Sequence, residues 1–295
     1  MNPLIEGIGL RKAFIAGGGH RVRALKGVSL GVEAGESVAV VGETGSGKTT
    51  LAKALLGLIP VDAGAVRAGG RELKAMSVAE RKAFRARHQM VFQQPLASLD
   101  PHFTVEEILR EPLIVHRIPG PDHGPRVELC LEAVGLPREV LGKVPARLSG
   151  GQRQRVAIAR SLVLDPSFVV LDEPVSALDL SVQAQVLHLL ANLKRGRGLT
   201  YLLISHDLGV VEFLCERVAV MLHGVVVEEG PTAAVLRGAR HSYTRGLLAA
   251  RLPSVPGAAV EAAGTEAEPA PVFWDEQPPL KEVGPGHRAA PDGPA

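Results

Sequence analysis

The segment Gly42-Glu43-Thr44-Gly45-Ser46-Gly47-Lys48-Thr49 constrains this chain more than any other. It fits the pattern GxxxxGK[ST] and follows Val38 to Val41, a short apolar run rich in β-branched residues. A helical stretch, Lys48 to Leu58, opens directly after it, with Thr50 in its first turn. Glycines let a backbone wrap closely, so that several N–H groups converge on one anion. The helix that follows adds roughly half a positive charge at its N-terminus. Lys48 would place a full charge on terminal phosphates, and the Thr49 hydroxyl is a magnesium ligand in such loops. A surface turn could share the composition, but not the spacing and both flanking elements at once. A phosphate cradle is the expectation.

A phosphate-bound metal needs a carboxylate, and Phe168-Val169-Val170-Leu171-Asp172-Glu173 supplies an apolar strand ending in two acids. In parallel α/β sheets chemistry gathers at the carboxyl ends of strands. Asp172 would hold magnesium, directly or through water, and Glu173 would act as general base on an attacking water. Tyr201 to Ile204 is a third unbroken apolar run, as expected of strands buried on both faces. Ser181 can cap a helix carrying Val182, Val186, Leu189, Leu190 and Leu193 at helical spacing. Arg217 to Leu222 and Val225 to Glu229, joined at His223-Gly224, read as a hairpin. The fold class is α/β.

Residues from about 94 to 164 differ, being helical in pattern and broken by Pro112, Pro119, Pro121, Pro125, Pro137 and Pro145. They predict a helical subdomain inserted between two strands. From Gly257 to the last residue, Ala, Pro, Gly and Glu dominate without periodicity. Such a segment buries too little surface to offset its ordering entropy, so residues 257–295 are expected to be a disordered tail. Phe273-Trp274 is its one docking candidate.

Aromatic residues make up only 3% of the 295 residues, too few for a base-stacking surface, and the net charge of +2 gives no electrostatic case for a nucleic-acid partner. Cys130 and Cys215 lie outside any paired-cysteine pattern and read as buried free thiols. The first residues lack a signal peptide's apolar run. No stretch approaches the ~20 apolar residues of a spanning helix, so the chain is expected to be soluble.

Leu148-Ser149-Gly150-Gly151-Gln152 precedes a helical run, Arg153 to Leu162. Here the sequence resembles the ATP-binding cassette (ABC) family: LSGGQRQRVAIARSL is similar to its signature segment and DEPVSALD to its Walker B and D-loop region. The resemblance runs from about Ile5 to Pro253. It implies a P-loop ABC nucleotide-binding domain over residues 1–256, with an antiparallel β subdomain and the helical insertion, and ATP with Mg2+ as its ligands. Phe14 would stack on adenine. Gln93, in VFQQP, resembles the Q-loop glutamine that senses magnesium and water. Asp179 resembles the D-loop aspartate of the dimer seam, and His206, in ISHD, the switch histidine that contacts the γ-phosphate. In a head-to-tail dimer Ser149 and Gly151, with Gly150 and Gln152 beside them, would cap the γ-phosphate held by the other subunit.

Coiled coils, zinc modules and a second cassette, as in DNA- and translation-acting relatives, are absent from the sequence. QQPLASLDPHFTVEEILREPL, SALDLSVQAQVLHLL and HSYTRGLLAARLP resemble the oligopeptide/dipeptide/nickel importer branch, which usually has proline where Ser242 stands. That branch implies an ATP-hydrolysing subunit for a peptide or related small-solute importer. Its partners would be two transmembrane permease subunits, a second ATP-binding subunit and, indirectly, an extracytoplasmic substrate-binding protein. Its place would be the cytoplasmic face of the cell membrane, as a peripheral subunit. With no cysteine after Cys215, no iron–sulfur cluster is expected. The alternatives are a soluble ABC-type ATPase acting on nucleic acid and a P-loop small-molecule kinase, although a kinase has no use for LSGGQ.

Overall fold

The computed structural model describes residues 2–15, 17–93, 98–250 and 274–293, which fall into two compact units. The first consists of Met1–Ile5, Gly31–Ser37 and Arg67–Ser205; the second of Glu6–Leu30, Val38–Val66 and His206–Ala295.

The first unit is built on three parallel strands in the order β8 (Thr200–Ile204), β7 (Phe168–Asp172), β6 (His88–Val91). Their registers run Met90↔Val170 and Val170↔Leu202, and every residue of β7 and β8 is buried. This is why neither strand shows polar alternation. Between β6 and β7 the described residues form helices and no strand: α3 (Val105–Val115), α4 (His123–Ala133), α5 (Gly150–Leu162) and short 3-10 turns. α2 (Val78–Arg87) leads into β6, and α6 (Leu180–Arg197) connects β7 to β8. One expectation is corrected here. The cap of α6 is Asp179, whose carboxylate accepts from Val182 N–H at 2.9 Å, whereas the Ser181 hydroxyl donates to that carboxylate at 2.7 Å. Asp179 reaches the N3 amide from the cap position; Ser181 already lies inside the first turn. α6 ends on Gly198 at φ 63.

The second unit carries most of a sheet ordered β2 (Arg21–Val32), β1 (Ile5–Ile15), β4 (Ala63–Ala68); the last two residues of β4 and β5 (Arg71–Glu72), which pair antiparallel, belong to the first unit. A second sheet runs β11 (Lys281–Gly284), β12 (His287–Ala289), β10 (Val225–Pro231), β9 (Arg217–Leu222), β3 (Ser37–Val41). β3 and β9 are parallel, and β9 and β10 form the expected hairpin. Its turn places His223 at φ 47 and Gly224 at φ 87, the positive pair that a two-residue hairpin favours. α1 (Lys48–Leu55) is shorter than its apolar pattern, because Gly57 at φ 62 lets Leu58 N–H reach back to Lys53 O at 2.9 Å. α7 (Leu208–Leu214), α8 (Thr232–Arg237) and α9 (Ser242–Ala249) complete the unit.

The expected disordered tail is corrected over residues 274–293. β12 pairs antiparallel with β10, Glu228↔Ala289, and β11 pairs with β12. Gln277 binds the edge of β10 twice, accepting from Val226 N–H at 2.8 Å and donating to Val226 O at 2.7 Å. Glu276 takes both forks of Arg11, at 2.6 and 2.8 Å. His287, Ala289 and Ala290 are buried, and His287 Nε2 lies 2.6 Å from Glu228 Oε1. Composition weighs apolar area, and this segment is held instead by backbone pairing and placed polar partners. Residues 257–273, with Phe273, lie outside the described residues; Trp274 O accepts from Lys26 Nζ at 2.7 Å. Both cysteines are buried thiols outside any disulfide, and burial pushes the Cys130 thiol up to about 11. Among the described residues, no helix is long and apolar enough to cross a membrane.

Candidate functional site

In the second unit the buried strand β3 delivers the chain into the glycine loop, and α1 leaves it. The loop is closed by its own groups. Lys48 Nζ donates to Gly42 O and Glu43 O, each at 2.7 Å, and Ser46 N–H donates to Glu43 O at 3.2 Å. Gly224 N–H, from the hairpin turn, donates to Ser46 O at 2.9 Å. Two glycines are obligatory. Gly42 (φ 142) and Gly47 (φ 104) lie in backbone regions closed to other residues, and a Cβ there would collide with Met221 O and Ala24 O respectively. Gly47 caps α1 from a left-handed conformation without any side-chain bond, and the ladder of the helix opens with Leu51 N–H to Gly47 O at 2.9 Å. The first-turn N–H groups of Lys48, Thr49 and Thr50 thus lie outside that ladder. A backbone cradle with an ammonium curled over it suits a polyphosphate.

Phe14 and His206 belong to the same unit. Phe14 stands half-exposed near the end of β1, with Lys12 Nζ 5.4 Å from its ring centroid. His206 follows Ser205 and precedes Asp207, whose carboxylate caps α7 by accepting from Gly209 N–H at 2.7 Å.

The first unit holds the carboxylates. Asp172 ends β7 and is 3% exposed, and Glu173 leaves the strand at φ 46. A glutamate in the left-handed region costs on the order of 1 kcal/mol, a strain held here by Glu173 N–H donating to Ile204 O at 2.9 Å. Gln93 Nε2 donates to Glu173 Oε2 at 2.8 Å. Two residues eighty positions apart are therefore brought together at the end of β7. The neighbouring Gln94 lies outside the described residues, as do residues 95–97 of the segment that resembles the importer branch.

The signature segment is also in the first unit. Ser149 caps α5 with reciprocal bonds: its hydroxyl accepts from Gln152 N–H at 3.2 Å and Gln152 Oε1 accepts from Ser149 N–H at 3.1 Å. A Cβ on Gly150 would contact Leu178 at 3.6 Å, and one on Gly151 would press on Val182 at 2.5 Å. The signature turn and the Asp179 turn are thus packed together. The Val182 N–H and the Ser181 hydroxyl hold the Asp179 carboxyl below the usual range.

Sequence reasoning passed over one contact. Tyr243 Oη, on α9, accepts from Glu43 N–H in the glycine loop at 2.8 Å. Its only signal was its place in HSYTRG, read above as a branch marker.

A buried strand feeding a glycine loop in one unit, and in the other an acid pair at a buried strand end and a serine-capped LSGGQ helix, together define an ATPase domain of the ATP-binding cassette class. The chain belongs to the ABC transporter family, whose profile matches residues 25–176. It is 44% identical over 249 residues to YkfD of Bacillus subtilis (strain 168), an ATP-binding protein provisionally named for oligopeptide transport, covering 83% of this chain and 75% of that one. It is also 44% identical over 248 residues to the glutathione import ATP-binding protein GsiA of Escherichia coli (strain K12). That match takes in 84% of this chain but 40% of GsiA, so the chain spans well under half of that relative. Among solved structures it is similar to the dimeric post-hydrolysis state of the ATP-binding cassette MJ0796 bound to ADP and Pi, with TM-score 0.69 and 31% identity over 77% of this chain and 98% of that one.

Proposed function

We propose that this chain is the ATP-hydrolysing subunit that energises a membrane importer for peptides or a related small solute. The single observation that carries the hydrolytic part is the Gln93–Glu173 hydrogen bond at the end of β7. It fixes the carboxylate oxygen that would take a proton from water, and it ties that oxygen to the segment leading into the helical insertion. Lys48 and the N–H groups from Gly45 to Thr50 would hold the phosphates, and Phe14 the adenine. His206 would contact the γ-phosphate.

Magnesium fits the donor set by its chemistry. Thr49, Gln93 and the buried carboxylate Asp172 offer oxygen ligands only, as a hard cation requires. When bound, the ion would supply positive charge to the phosphate oxygens. Ser149, Gly150, Gly151 and Gln152 would complete the γ-phosphate site of a second ATP-binding subunit, with Asp179 at the seam. ATP would then favour the closed dimer, and a shift from 1:99 to 99:1 needs about a 10⁴-fold preference. Two permease subunits would bind the dimer at the cytoplasmic face of the membrane, and a substrate-binding protein would deliver the solute from outside. The cassette is taken to run to about residue 256, with its helical insertion over about 94–164.

Glu173→Gln tests the chemistry. Hydrolysis should fall at least ~100-fold while ATP stays bound and a dimer accumulates on size-exclusion chromatography. Turnover at the normal rate would remove Glu173 from the role of base. Reconstitution with its permeases tests the importer reading: the loaded binding protein should stimulate ATPase activity, and an indifferent complex would overturn it.

A further inference from the structure

We propose that Tyr243 is a positioning residue for the glycine loop, and that the C-terminal segment holds Tyr243 in place through Asp292. The inference rests on the reading of that loop as the ATP site. Tyr243 Oη accepts from Glu43 N–H at 2.8 Å, at the second residue of the loop. Other restraints on the loop include Lys48 Nζ, which a nucleotide would draw toward its own phosphates, the Ser46 N–H to Glu43 O bond, and Gly224. The tyrosine bond reaches the loop from outside, so it can persist when the lysine turns to phosphate. Burial raises the Tyr243 phenol, which keeps it neutral near pH 7.

The start of α9 is fixed by two carboxylates. Glu228, fully buried on β10, accepts from Arg240 N–H at 2.8 Å and His241 N–H at 3.1 Å, and His287 of β12 lies against it. Asp292 accepts from Ser242 N–H at 2.5 Å, and its other oxygen lies 3.6 Å from Arg245. Tyr243 N–H donates to His241 Nδ1 at 3.2 Å. One connected set of hydrogen bonds therefore runs from the C-terminal segment through the first turn of α9 to the loop.

Position 242 allows the Ser242 part of this link to be cut, while the Arg245–Asp292 contact stays. Ser242 is the first residue of α9, and His241 before it is extended at φ −78, ψ 136. Proline is well tolerated at a first helical position after an extended residue, yet it has no N–H to give Asp292. Tyr243→Phe removes the acceptor and keeps the ring.

Titration of the purified full chain with a fluorescent ATP analogue, alongside thermal melting and steady-state hydrolysis, tests the inference. Tyr243→Phe should weaken ATP binding and raise KM about 3- to 10-fold, with kcat at saturating ATP within twofold of wild type and Tm unchanged. Ser242→Pro should weaken binding about 2- to 3-fold in the same manner. Lys48→Ala is the reference. If it binds ATP normally, the reading of the loop itself fails; if it loses ATP while Tyr243→Phe does not, only the present inference fails. A Tyr243→Phe defect that disappears on cooling to 10 °C, with a lowered Tm, marks a folding role and overturns it too. Wild-type affinity in Ser242→Pro, with a defect in Tyr243→Phe, overturns the part given to Asp292.

Discussion

Two helix starts in this molecule look alike in sequence and are finished differently. α1 begins on Gly47 in a left-handed conformation, and this cap residue has no side chain to bond the first turn. α5 begins on Ser149 in an extended conformation, with Ser149 and Gln152 closing the turn reciprocally. Both are glycine-rich, and both offer the partial positive charge of a helix N-terminus. The first carries Lys48, whose ammonium lies over the carbonyls of Gly42 and Glu43. In the second, the box already takes up the Ser149 and Gln152 N–H groups. Its box uses the Ser149 hydroxyl as an acceptor, which leaves the hydroxyl proton to donate to a phosphate oxygen. In the proposed reading, one end would bind ATP within a single chain and the other would be offered to a partner's nucleotide.

The largest expected effect puts that contrast at risk. Lys48→Ala should raise the ATP dissociation constant of the isolated chain at least ~100-fold, or ~2.7 kcal/mol. Ser149→Ala should leave it within twofold. Equilibrium titration below the dimerisation concentration decides, and an equal loss in both variants would end the distinction between a binding end and an offered end. A smaller effect sharpens it. Ser149→Ala removes an N-cap worth about 1 kcal/mol, so amide exchange in the first turn of α5 should quicken roughly fivefold. Unchanged exchange would mean that the box does not hold the turn.

The sequence showed the first helix start more fully than the second. Gly42 and Gly47 are dictated by backbone geometry, which a spacing pattern encodes directly, and strands buried on both faces announce themselves as unbroken apolar runs. The Gln93–Glu173 bond joins residues far apart in the chain, and nothing local marks the strained backbone at Glu173. The cap of α6 differs from the sequence expectation because Asp179 and Ser181 are both good caps and only geometry chooses between them. The C-terminal segment departs from its composition for another reason. Gln277, Glu276 and His287 meet partners on β1 and β10 through specific polar contacts, which composition cannot register.

The smallest expected effect separates stability from binding most cleanly, because the two should move in opposite directions. Gln152→Glu keeps an acceptor for Ser149 N–H and puts a negative charge in the first turn of α5. Glutamate at this place in a capping box is favourable, and the helix dipole adds roughly 0.3–1 kcal/mol, so amide exchange in α5 should slow slightly. The same charge would face the γ-phosphate of a second subunit if the signature turn caps it. ATP-driven dimerisation of the Glu173→Gln background should therefore weaken when Gln152→Glu is added, even though the helix is firmer. Raising the salt concentration should recover part of the loss, since the repulsion is screened over about 10 Å at 0.1 M ionic strength. Dimerisation that strengthens with the helix would show that this helix start is only a well-capped end, and the contrast with α1 would then rest on Lys48 alone.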